Sequence, residues 1–154
     1  MDETINCANC HNPANMELRP YSEPLKDWLK RTNQVWDKLS RNEKRSLVCA
    51  QCHVEYYFQH ADNGPAANPI FPWDNGFGPE DMYQYYKEHG KKDATGKPGP
   101  FVDFVHAASK TPIIKIQHPE YETFIDGPHG AAGVSCADCH MQYQRVDGKK
   151  VSSH

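Results

Sequence analysis

The chain has 154 residues, a formal net charge of -3 and 38% hydrophobic residues, and 12 prolines and 10 glycines interrupt it. One domain is the starting expectation at this length, and the protein part alone offers a thin core. No basic or acidic run argues for nucleic acid or an anionic membrane, and no apolar stretch approaches the length of a membrane span.

The first feature in chain order is Cys7-Ala8-Asn9-Cys10-His11. From Ser22 to Leu39 the residues Leu25, Trp28, Leu29, Val35, Trp36 and Leu39 recur at helical spacing, with Ser22 as N-cap and Pro24 in the first turn, so one core-facing helix is expected there. A second helix is expected from Asn42 through Cys49-Ala50-Gln51-Cys52-His53 to Tyr57, presenting His53 and Tyr56 on neighbouring faces. The Gly, Pro and Asn content from Asp62 to Gly78 predicts an irregular loop carrying Phe71 and Trp73. Pro79 opens a short helix to His89, stopped by Gly90, and Lys91 to Pro100 is a polar loop. After Cys136-Ala137-Asp138-Cys139-His140, the stretch Gln142 to Ser153 reads as a hairpin around Asp147-Gly148, ahead of His154. The fold class expected is mainly α with long irregular loops and one short β-hairpin near the C-terminus.

Those three C-x-x-C-H motifs use all six cysteines of the chain. The spacing is that of c-type haem attachment: two thiols three residues apart reach the two vinyl-derived carbons of one porphyrin, and the adjacent imidazole reaches the iron from the same side. Structural zinc closes with two Cys pairs, or one pair and two histidines, and has no use for a His after every second Cys. Disulfides or a redox dithiol leave the repeated histidine equally unexplained. Three covalent haems are therefore expected, bound through Cys7, Cys10 and His11, through Cys49, Cys52 and His53, and through Cys136, Cys139 and His140. Their apolar surface would organise a multihaem cytochrome c around closely packed haems, and the apoprotein should be largely unfolded. The uneven spacing of the motifs argues against a simple repeat. Haem is attached outside an energy-transducing membrane, so a periplasmic location is expected. Met1-Asp2-Glu3-Thr4 has neither a basic n-region nor an apolar h-region, which points to a processed start or an excerpt from a longer chain.

The other six histidines bear on what such haems would do, because a haem with two protein ligands passes electrons whereas an open face binds substrate. His60, His89 and His106 lie in polar or loop settings and read as solvated side chains. His129, in Gly127-Pro128-His129-Gly130, sits where glycine would let the backbone approach a bulky ring, and is a candidate axial ligand.

Val48 to Phe58, Lys115-Ile-Gln-His-Pro-Glu-Tyr-Glu122 and Gly127 to Met141 resemble the central region of the periplasmic, ammonia-forming cytochrome c nitrite reductases, and the likeness runs from the Cys7 motif to His154. The resemblance implies a calcium ion held by the Glu55 and Gln117 side chains with the Tyr56 and Lys115 carbonyl oxygens, a donor set of the hard oxygen type calcium takes. Read without the resemblance, Glu55 is an exposed helix carboxylate. The resemblance makes Tyr56 and His118 the pocket tyrosine and histidine. It makes His129 the distal ligand of the family's last haem, and His154 the distal ligand of the Cys7-Cys10 haem opposite His11. Nitrite is the implied substrate, reduced to ammonium, with electrons from a quinol-linked or periplasmic cytochrome donor.

The family enzymes carry five haems, form homodimers, and attach the catalytic haem through C-x-x-C-K. This sequence contains no C-x-x-C-K, no fifth motif and no long C-terminal helices, so the remainder of the catalytic subunit is an expected partner. It matches the middle third of such a subunit, from the second haem motif to the fourth. A stand-alone triheme electron-transfer cytochrome is the alternative. A related reductase of another nitrogen or sulfur oxyanion would not need Glu55, Gln117 and His118.

Overall fold

The computed structural model describes residues 5–60, 66–90 and 95–153. Helix α1 spans Glu23–Arg31, with Ser22 in the N-cap backbone conformation and Pro24 in the first turn, as expected. It stops eight residues short of the expected Leu39. Asn33 takes a left-handed conformation at φ 55, and the Gln34 N–H closes back on the Leu29 carbonyl at 2.8 Å. Asn tolerates that backbone where most residues do not. The apolar periodicity survives the break, because a separate 3-10 turn at Trp36–Lys38 leaves Trp36 and Leu39 packed on the same core as buried Leu25, Trp28 and Leu29. Val35 is the exception and is half exposed.

Helix α2, Arg41–Leu47, starts at a reciprocal cap in which the Glu43 N–H donates to Ser40 Oγ at 3.2 Å and the Ser40 N–H to Glu43 Oε2 at 2.7 Å. The helix expected to run on to Tyr57 ends ten residues early. Cys49 to His53 instead follow as consecutive turns, and Tyr57–His60 form strand β1. The aromatic run Tyr56-Tyr57-Phe58 favours a strand, and burial of Ala50 and Val54 anchors the turns against the core.

Strand β1 pairs antiparallel with β2, Ala66–Ile70, matching Tyr57 to Ile70 and Phe58 to Pro69. The loop expected over 62–78 thus contributes a strand; its residues 62–65 lie outside the described residues. Pro69 is tolerated because a two-stranded sheet is all edge. Helix α3, Pro79–Glu88, matches its expectation, with acidic Glu80 and Asp81 in the first turn and Lys87 in the last. Residues 91–94 of the following polar loop are also outside the described set. Two short strands, β3 (Phe104–Val105) and β4 (Pro112–Ile113), pair where none was expected.

Helices α4 (Glu120–Ile125), α5 (Pro128–Ala131) and α6 (Cys136–His140) lead into the hairpin of β5 (Tyr143–Val146) and β6 (Lys149–Ser152). Asp147 at φ 49 and Gly148 at φ 77 supply its two left-handed turn residues, as the Asp-Gly pair predicts. A Cβ at Gly130 would lie 2.5 Å from the Ile125 carbonyl oxygen, so this glycine admits the backbone at the end of α4.

Among the described residues the architecture is helix and loop with three small antiparallel strand pairs, one of them the expected hairpin. The main core gathers Leu25, Trp28, Leu29, Leu47, Ala50, Val54, Phe71, Trp73 and Tyr121. Trp73 is its hub, with ring centroids 5.1 Å from Trp28, 4.7 Å from Phe71 and 5.1 Å from Tyr121. Tyr57, Tyr85 and Tyr86 make a second cluster beside it. Ala50 and Val54 belong to the first cluster and Tyr57 to the second, so the second motif is anchored by both.

Candidate functional site: three cysteine motifs and a buried carboxylate pair

The three motifs converge. The Cys49 thiol, which donates to the Arg45 carbonyl at 3.8 Å, lies close enough to Cys136 for the two to interact electrostatically, and Cys10 lies likewise near Cys52. Side chains inside the motifs hold them together. Gln51 donates from Nε2 to the Asn9 carbonyl at 3.0 Å, while its Oε1 accepts the Tyr21 and Ser22 N–H groups, tying the first motif and the start of α1 to the second. On the other side, Arg45 Nη1 reaches Asp138 Oδ1 at 2.6 Å, and the Cys136 N–H donates to Ser46 Oγ at 3.2 Å.

The Ser135 backbone N–H, then Arg45 and the Ser135 hydroxyl, hold the Asp138 carboxyl down at about 2, against an ordinary 3.8. A carboxylate depressed in the folded state adds stability above its unfolded value, and that contribution is lost as pH falls through the folded one. Acid unfolding between about pH 4 and pH 2 is therefore expected to be steeper in the wild type than in Asp138→Asn, as followed by circular dichroism. Parallel acid limbs would contradict it.

The motifs fit covalent haem. All six thiols are free, and Cys7, Cys52 and Cys139 are exposed. The Met16 carbonyl oxygen lies 2.8 Å from His11 Nδ1, so that carbonyl can accept a proton carried there and orient the ring. Glu120 Oε1 lies 3.8 Å from His53 Nδ1, near the ring but beyond hydrogen-bonding distance. A cavity of about 870 Å³ opens beside His11, Leu18, Val48 and Met141. Another of about 620 Å³ is lined by Cys49, His53, His129, Cys136, Cys139 and His140. His129, on α5, thus faces the second and third motifs. Ser152 lines the larger cavity, but His154 lies outside the described residues. His89 stacks on Tyr85 at 3.7 Å and its Nδ1–H donates to the Tyr85 carbonyl at 2.7 Å, so it is half-buried packing and not the solvated side chain expected; His106 is exposed.

Glu55 is fully buried, which corrects its reading as an exposed helix carboxylate. Its Oε1 accepts from the Tyr86 hydroxyl at 3.0 Å and its Oε2 from the Gln117 N–H at 2.6 Å. Glu122, also buried, accepts the Glu55 N–H and the Trp73 indole N–H on Oε1. Burial raises the pKa of both carboxyls. Among the described residues neither makes an ion pair, so two adjacent buried acids stand without a cationic side chain. Of the two, Glu55, bonded to the Gln117 segment, is the acid that suits a cation. No cluster of three or more His, Cys, Asp or Glu gathers among the described residues, so a cation at Glu55 would draw on amide and backbone oxygens, the chemistry of calcium and not of zinc. Lys115 follows the same strand exit, with its N–H on Asp103 Oδ2 at 2.6 Å.

Tyr56 and His118 come together, with ring centroids 5.8 Å apart. The His118 Nδ1 lies 3.2 Å from Glu120 Oε2. The sequence reading missed Gln51, Arg45, Asp138 and Glu122. The first three stand in or just before a motif, and Glu122 ends the Lys115–Glu122 stretch, but only long-range contacts give them tasks.

A family model described as cytochrome c552 matches residues 1–154. The chain is 58% identical over 154 residues to the cytochrome c nitrite reductase subunit NrfA of Nitratidesulfovibrio vulgaris, covering 99% of this chain and 29% of that one. It is 47% identical over 150 residues to a cytochrome c-552 of Bacteroides fragilis, covering 97% and 28%. Among solved structures, the cytochrome c nitrite reductase of Desulfovibrio desulfuricans, whose catalytic subunit is described as having two calcium sites, superposes with a TM-score of 0.90 at 81% identity, over 98% of this chain and 31% of that one. The chain thus spans less than a third of the length of these relatives, and by motifs, fold and sequence it belongs to the cytochrome c552 family of c-type haem proteins.

Proposed function

We propose that this chain is the central part of an ammonia-forming nitrite reductase that acts in the periplasm, supplying three electron-transfer haems, a calcium site and two pocket residues. The observation that carries the reading is the convergence of Glu55, Tyr56, Gln117 and His118: Glu55 and Gln117 are hydrogen-bonded, and the Tyr56 and His118 rings pack edge to face. The names of the relatives support the same activity. Haem would relay the donor's electrons and offer the iron that binds nitrite. The residues of this chain orient and move protons around it. Glu120 holds one nitrogen of the His118 ring, leaving Nε2 to deliver a proton to a departing oxygen. The Tyr56 hydroxyl would hydrogen-bond intermediates as they lose oxygen. Glu55, Gln117 and the Tyr56 and Lys115 carbonyls would hold the calcium ion beside them. His11 and His154 would be the two axial ligands of the Cys7-Cys10 haem, and His129 an axial ligand of a haem bound elsewhere in the subunit. The electron donor, the rest of the subunit and a second copy complete the assembly.

Intact mass and haem count of the natural mature protein test this reading. A mass of several times this chain with five haems is expected. A mass of this chain plus three haems would replace the reductase with an electron carrier.

A further inference from the structure

The Trp73 indole is a fixed point: the ring is 2% exposed and wedged among Trp28, Phe71, Phe77 and Tyr121. Its Nε1–H donates to Glu122 Oε1 at 2.6 Å, and the same oxygen accepts the Glu55 N–H at 2.9 Å. One residue earlier on α4, the Tyr121 N–H donates to the His53 carbonyl at 3.2 Å. Helix α4 therefore grips the segment from His53 to Glu55 at two points, and Glu122 relays the position of the aromatic core to the backbone of Glu55. The far end of the Glu55 side chain accepts from the Gln117 N–H and the Tyr86 hydroxyl. A buried carboxylate is costly when it does not accept hydrogen bonds. Here one oxygen accepts two, and Oε2 is enclosed without a hydrogen-bond partner among the described residues.

We propose that Glu122 is a positioning residue for the cation site: by holding the Glu55 amide it sets where the Glu55 carboxylate and the Tyr56 carbonyl meet a calcium ion. The inference rests on the calcium reading given under Proposed function. What matters is the reach of the acceptor and not its charge. Groups that orient metal ligands from behind change metal affinity by about 10- to 100-fold when altered.

The test is calorimetric titration of calcium into the calcium-depleted, haem-loaded full-length subunit. Glu122→Gln keeps the reach and loses the charge, and should bind calcium with close to wild-type affinity. Glu122→Asp keeps the charge and falls one methylene short, and should bind about 10- to 100-fold more weakly with an unchanged haem spectrum. The opposite pattern, or an unchanged affinity in Glu122→Asp, would overturn the proposal. Should Glu122→Asp not fold, Trp73→Phe removes the anchoring N–H together with part of the indole ring: weaker calcium binding there with an unchanged haem spectrum supports the proposal and unaltered binding refutes it. Glu55→Gln separates the two readings. Undiminished calcium binding in that variant would bring down the calcium site itself, and the proposal with it. Loss of binding there, beside an unaffected Glu122→Asp, would bring down the role of Glu122 alone.

Discussion

Replacing His118 by alanine in the haem-loaded full-length enzyme is expected to lower kcat for nitrite by about 10²- to 10⁴-fold, the usual contribution of a positioned acid or base. The ring has the placement such a group needs. It packs against Tyr56 at 5.8 Å, and Glu120 lies 3.2 Å from Nδ1, which leaves one nitrogen for substrate. An interaction made only in the transition state lowers kcat and kcat/KM together, so KM should move little. Steady-state nitrite reduction with a reduced viologen donor measures both. A kcat near that of the wild type, with haem and calcium content intact, would remove His118 from the chemistry.

The same chain made without haem, with its six cysteines replaced by alanine, is expected to lose cooperative thermal unfolding altogether. Among the described residues thirteen hydrophobic side chains, prolines aside, are buried, and nine of them form the cluster around Trp73. The cavities beside the motifs, about 870 and 620 Å³, would hold water in place of a large apolar group. A domain of this size needs most of its buried surface to offset chain entropy. Near-ultraviolet circular dichroism should show a flat aromatic signal with no sigmoidal transition. A sharp transition would mean that the Trp73 cluster suffices by itself.

Much of the chemistry was legible in the sequence because it is written in short spacings. A C-x-x-C-H motif states its own geometry within five residues, and three copies account for every cysteine. Helix α3 and the Asp147-Gly148 hairpin were equally local, set by a proline, a glycine and a turn pair. The helix through the second motif was misjudged for a reason of the same kind. Apolar residues from Leu47 to Phe58 suit a helix or a buried strand, and pairing of β1 with β2, nine positions on, decided for the strand.

The motifs, the absence of a membrane-length apolar span and the likeness to the nitrite reductase family followed from residue order alone. Which acids are buried did not. Glu55 and Glu122 look like any surface glutamates, and only the packing of α4 and the Gln117 segment against the Trp73 core encloses them. The meeting of Tyr56 with His118, and of Arg45 with Asp138, was likewise set by the tertiary structure. Local spacing fixes how two thiols and an imidazole can meet one porphyrin; desolvation of a carboxylate depends on what distant segments bring to it.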